Sequence, residues 1–212
     1  MIALVHNRVS LALHELRRAE GPSLLLLHGL GECSPDEVPR YAAGWPGSIA
    51  ALDFTGHGAS TVPAGGGYTA EMLMADADIA VEHLGQATLL GRGLGAYIAL
   101  LVAGARPERV LGAVVADGPG LSGGPSVPTS QAVFTLDVDG RAPDPYALVE
   151  LGRDLRPPDY ATAFVRLALQ SSALAAPIQV TARFRPAWLD AVANEPGVEV
   201  APSIEAALTR LA

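Results

Sequence analysis

The chain has 212 residues, half of them apolar, and a formal net charge of −8; it can bury one substantial core, and it lacks the clustered positive charge that general affinity for nucleic acid requires. All 14 basic residues are arginine, and without lysine there is no Schiff base with a pyridoxal cofactor and no P-loop cation. The single cysteine, Cys33, excludes an intramolecular disulfide and fits a reducing compartment.

The first 21 residues, MIALVHNRVSLALHELRRAEG, alternate in polarity and are broken by charges. They match neither a signal peptide nor the run of about 18 apolar residues that a membrane span needs, so a cytoplasmic protein with no membrane association is expected. Apolar positions recur at period two on either side of Asn7 and Arg8, which predicts a β-hairpin. SLLLLHGLG, residues 23–31, differs, because four consecutive leucines make a strand apolar on both faces, as in the middle of a parallel sheet. The pattern returns in SIAALDFTGHGAS (48–60), ATLLGRG (87–93) and VLGAVVADGPG (110–120), and more weakly in PIQVTARF (177–184) and GVEVA (197–201).

Helices are predicted between these strands. One runs to Leu84 from an N-cap at Thr69, with apolar residues at three- and four-residue steps. The next, residues 94–105, is almost wholly apolar and stops before Pro107, so it should be buried on most sides. Residues 122–174 are less regular, with a strand candidate AVFTLDV (132–138) and helical segments over 143–154 and 158–171. They read as a small cap-like excursion over the sheet edge. The expected class is α/β: one domain over 1–212 with a mostly parallel central sheet flanked by helices on both faces. No cofactor is expected, and no metal, since no cluster of His, Cys, Asp and Glu has ligand spacing.

Three glycine turns at successive strand ends carry a family resemblance. LLLLHGLGE resembles the loop after the third strand of α/β-hydrolases, LDFTGHGAS resembles their D-x-x-G-H-G-x-S turn after the fourth, and GRGLG is similar to the nucleophile elbow after the fifth. Order and spacing match over residues 21–118. The resemblance implies an α/β-hydrolase fold in which Gly93 stands at the nucleophile position, and in which the N–H groups of Leu30 and Leu94 correspond to the oxyanion hole. It also implies a histidine after the last strand, yet the five histidines are His6, His14, His28, His57 and His83, and Pro202 and Ser203 stand there instead. The family's acid after the seventh strand is replaced by Arg183, Phe184 and Arg185, although Asp117 occupies the alternative place after the sixth. The resemblance therefore describes a divergent member without the triad.

The site residues that follow are His28, Leu30, Arg92, Gly93, Leu94, Asp117 and Arg183, with none assigned as catalytic. His28 looks catalytic, but in the family's His-Gly turn it packs and holds the loop; His57, Asp53 and Ser60 share one tight turn too short to form a triad. The first N–H groups of the helix at Leu94 need a partner, and arginines at two strand ends favour an anion. The expectation is a water- or anion-filled pocket bounded by Leu30, Gly93, Leu94 and Asp117, with Arg92 or Arg183 in reach. Two functions stay open: a non-hydrolytic module binding a small anion or carboxylate, a protein partner or a second copy of itself; and a divergent hydrolase or lyase-type enzyme working non-covalently through Asp117, His28 or water.

Overall fold

The computed structural model describes residues 1–6, 8–121, 142–152 and 157–212. Eight strands form one sheet: β1 (Ile2–His6), β2 (Val9–Arg17), β3 (Ser23–Leu27), β4 (Ile49–Leu52), β5 (Ala87–Arg92), β6 (Val110–Ala116), β7 (Ile178–Val180) and β8 (Val198–Val200). Their order is β1-β2-β4-β3-β5-β6-β7-β8. The predicted hairpin is β1 with β2, paired from His6↔Val9 to Ile2↔Leu13; its Asn7 lies outside the described residues. β2 joins β4 antiparallel, and every pair from β4 to β8 is parallel.

The leucine run of β3 shows why the central strands are apolar throughout. Leu25 and Leu27 enter the core on one face of the sheet, while Leu24 and Leu26 enter the core on the other. Leu89 and Leu90 of β5 divide in the same way, as do Val115 and Val114 of β6. Side chains alternate across a strand, so a strand covered on both sides needs apolar residues at every position. Each such leucine contributes about 1.5–3 kcal/mol by leaving water.

The covering helices are α1 (Ala70–Leu84), α2 (Leu94–Ala105), α3 (Pro145–Gly152), α4 (Pro158–Ser171), α5 (Ala187–Ala193) and α6 (Ile204–Leu211). α1 starts where the sequence predicts, with the Thr69 hydroxyl accepting the Met72 N–H. α2 is buried from Leu94 to Gly104, packed on β5 and β6 and flanked by α1 and α4. The other face is closed by α6 and by a single 3₁₀ turn, Arg40–Ala42.

α4 packs against α2 and α5, and Ala161, Val165 and Ala168 give it a buried stripe at helical spacing; the cap-like excursion expected over 122–174 falls in part outside the described residues. One expectation shifts. PIQVTARF yields only three strand residues: beyond Val180 the Thr181 N–H still reaches Val115 O, but the Arg183 and Phe184 N–H groups turn to a side chain. The strand candidate at 132–138 lies outside the described residues. α3 is tied back to the segment before α1, as Glu150 accepts the Gly67 and Tyr68 N–H groups and the Tyr68 hydroxyl donates to Asp144.

Asp76, on the buried side of α1, accepts the Thr55 N–H at 2.8 Å. Burial pushes its carboxyl up to about 6. Since the folded chain then holds this proton more tightly than the unfolded chain, the charged form costs stability above about pH 6, and the cost fades as the pH falls toward about 4. Asp76→Asn keeps the acceptor and should stabilise the fold by on the order of 1–3 kcal/mol near about pH 8, with little gain near about pH 4. Urea midpoints of variant and wild type at the two pH values check this.

Candidate functional site

β5 ends at Arg92, the chain reverses at Gly93 with φ +52° and ψ −113°, and α2 begins at Leu94. A side chain in that conformation is strained, which is why glycine suits it. Gly91 and Gly95 are small for another reason: a Cβ at Gly91 would overlap the Gly95 backbone, and one at Gly95 would overlap Leu27 O. The sharp strand-to-helix turn read from GRGLG is therefore built by close backbone approach.

A Cβ at Gly93 would collide with Pro119 O and with the carbonyl of Gly118. The loop at 118–120, directly after β6, lies over the elbow. The Pro119 carbonyl accepts the Leu94 N–H at 2.9 Å and the Leu30 N–H at 3.0 Å. Those are the two donors expected to face a pocket, and both are engaged by the chain's own backbone. Gly120, at φ +104°, lets the loop pass: a Cβ there would stand 2.8 Å from Leu94 Cβ and 2.9 Å from Leu30 Cβ. The Pro119 ring rests against Gly29, where a Cβ would lie 2.6 Å from Pro119 Cδ.

Pro119 is the residue that sequence reasoning missed. ADGPG is visible after β6, but proline and two glycines mark only a turn. The path of that turn, and so the target of its carbonyl, is set by the strands around it.

Beside the loop, at the carboxyl ends of β5, β6 and β7, is a cavity of about 340 Å³. Arg92, Gly93, Asp117 and Arg183 line it, with an apolar wall from Pro186, Trp188 and Leu189. Arg92 and Arg183 do share one cavity, while His28, Leu30 and Leu94 are not among its lining. Phe184 is half exposed at the rim, whereas Tyr97 is buried behind the wall with its ring 5.1 Å from that of Trp188.

The polar groups here have distinct partners. Arg92 Nη1 lies 3.2 Å from both carboxylate oxygens of Glu32, and its Nε–H donates to Asp117 O at 3.3 Å. The Asp117 carboxylate accepts the Arg183 N–H at 2.7 Å and the Phe184 N–H at 3.0 Å. Asp117 thus clamps the chain leaving β7 rather than pairing with a guanidinium. Among the described residues no carboxylate pairs with the Arg183 guanidinium. Arg185 donates to Ala182 O.

His28 is held at both nitrogens: Nε2 accepts the Phe54 N–H at 3.1 Å, and Nδ1 lies 2.7 Å from Gly29 O. Burial and the nearby His57 lower it to about 4, so at neutral pH it is uncharged, with Nδ1 donating and Nε2 accepting. It lines a second cavity of about 120 Å³, which also touches Arg92 and Tyr41. His57 Nε2 accepts the Gly31 N–H at 3.2 Å, and burial lowers its pKa. Asp53 organises the D-x-x-G-H-G-x-S turn: burial raises its carboxyl, but the Ala59 and Ser34 N–H groups and the His14 ring more than offset this and hold it low. Among the described residues no group of three or more His, Cys, Asp and Glu could hold a metal ion. No helix among them is long and apolar enough to cross a membrane.

Residues 22–150 match the family model described as the alpha/beta hydrolase fold, which is more than half of the chain. The chain belongs to the alpha/beta hydrolase fold family. No curated protein sequence matches it significantly. Among solved structures, a membrane phospholipase A described as a bacterial virulence factor aligns over 94% of this chain and 77% of its own, at 21% identity and a TM-score of 0.56. A probable hydrolytic enzyme from Pseudomonas aeruginosa PAO1 aligns over 53% of this chain at 22% identity and a TM-score of 0.44. The thioesterase domain of the curacin biosynthetic pathway aligns over 59% at 22% identity and a TM-score of 0.49. The chain spans 39% of the length of the Pseudomonas enzyme and 48% of the thioesterase domain. At 21% identity the likeness to the phospholipase is one of fold alone.

The contact between Gly93 and the 118–120 loop is directly testable. Gly93→Ala should cost about 1–3 kcal/mol, from the collision with Pro119 together with the positive φ. Guanidinium denaturation measures it, and a stability equal to wild type would mean that the loop does not rest on the elbow.

Proposed function

We propose that this chain is a non-hydrolytic member of the alpha/beta hydrolase fold that binds a small anion, of the carboxylate class, at the ends of β5 to β7. The Pro119 carbonyl carries the reading. An acyl-transfer site needs free donors aimed where negative charge develops, and a nucleophile beside them. Here the Leu30 and Leu94 N–H groups are both committed to Pro119 O, and the turn residue between strand and helix is Gly93. After β8 the chain reads Ala201, Pro202, Ser203, with no histidine to serve as base. Binding of an anion is supported by the cavity next to the loop, whose lining includes Arg92, Arg183 and, at Gly93, the residue before the positive end of α2.

Activity-based labelling tests the silent half of this reading. A fluorophosphonate probe should leave every serine unmodified under conditions that label an ordinary serine esterase to completion, and stoichiometric labelling would overturn the reading. Gly93→Ser should not turn over p-nitrophenyl acetate at an esterase rate, since a serine hydroxyl without a base is a poor nucleophile near neutral pH. The binding half is read from thermal shifts, because a ligand that binds only the folded state raises Tm with its concentration.

A further inference from the structure

Resting on that anion-binding reading, we infer that the ligand of the 340 Å³ cavity is a monocarboxylate with an apolar, ring-sized body rather than a phosphate or a small hydrophilic anion. Three observations lead there. The first is charge. Arg92 and Arg183 both line the cavity, but Arg92 is already held by Glu32 and by Asp117 O, which leaves Arg183 as the cation unpaired by any carboxylate among the described residues. Asp117 also lines the cavity, its two carboxylate oxygens engaged by backbone N–H groups. One free cation beside one fixed anion suits a single negative charge, and a phosphate dianion would meet more repulsion than it gains.

The second observation is the lining. The apolar part of the lining is Ala116, Pro186, Trp188 and Leu189. Trp188 is 95% buried by its relative accessibility of 5%, and its indole N–H is spent on Leu121 O, so it offers the cavity a hydrocarbon surface. A hydrophilic ion would desolvate against this wall without compensation, whereas an apolar body removes its own surface from water there.

The third is size. The cavity lies at the lower end of the roughly 300–1,000 Å³ usual for small-molecule sites, which suits one ring or a short branched chain. Arg183 would take the carboxylate through its planar fork, two N–H groups to two oxygens, with the body against Trp188 and Leu189.

Calorimetric titration of the full chain with four probes tests the inference: phenylacetate, phenylacetamide, acetate and inorganic phosphate. Phenylacetate should bind about tenfold or more tightly than each of the other three, a difference of about 1.4 kcal/mol. Arg183→Gln should erase the advantage of the acid over the amide, while Arg183→Lys, which keeps the charge but not the fork, should retain part of it. Binding should also change Trp188 emission saturably; Trp45, the other tryptophan, is buried on the opposite face of the sheet. If phosphate or acetate binds as tightly as phenylacetate, the apolar-bodied ligand is refuted and anion binding stands. If the amide matches the acid, or Arg183→Gln binds phenylacetate like wild type, the assignment of Arg183 is refuted. If none of the four binds, both this inference and the binding reading fall.

Discussion

A buried backbone N–H must find an acceptor, and leaving one unmade costs about 1–3 kcal/mol. At the mouth of this fold two such groups converge, from Leu30 after β3 and Leu94 at the start of α2, and a single oxygen, that of Pro119, satisfies both. Much of the surrounding architecture follows from that sharing. The loop can approach because Gly93 projects nothing and Gly120 tolerates a positive φ. Proline suits the position, since its own missing N–H leaves no further donor to place. Three strand ends, those of β3, β5 and β6, are thereby joined at one atom.

The scaffold was far more legible in the sequence than the site. Consecutive leucines in β3, the glycine spacing of GRGLG and the Thr69 cap each have a local physical cause, and a local cause leaves a local pattern. A backbone carbonyl leaves none, because every residue has one; what matters at Pro119 is direction, which distant strands impose. The same holds for Asp117. Its position after β6 suggested a competitor for the arginines, but its carboxylate faces two N–H groups that exist as free donors only because β7 ends after Val180.

His28 shows the limit from the other side. Its residue type invites an acid or base role, and only the three-dimensional setting reveals that one nitrogen is used by Phe54 and the other by Gly29. The polar side chains in the glycine-rich turns of this chain hold backbone N–H groups in place. Asp53, with His14, Ser34 and Ala59 around it, holds a loop in the way a short strand would, but with side-chain acceptors in place of a ladder.

The Asp117 clamp has a mechanical consequence. Fixing one residue of flexible backbone costs about 1–2 kcal/mol in lost freedom, and a ligand that must order a loop bears that cost on binding. By taking the N–H groups of Arg183 and Phe184 at once, Asp117 fastens the rim of the cavity to the end of β6, a strand in the middle of the sheet. The rim inherits the stiffness of the sheet. Whatever enters therefore meets a shape set during folding, and discriminates by fit rather than by how well it can organise the protein around itself.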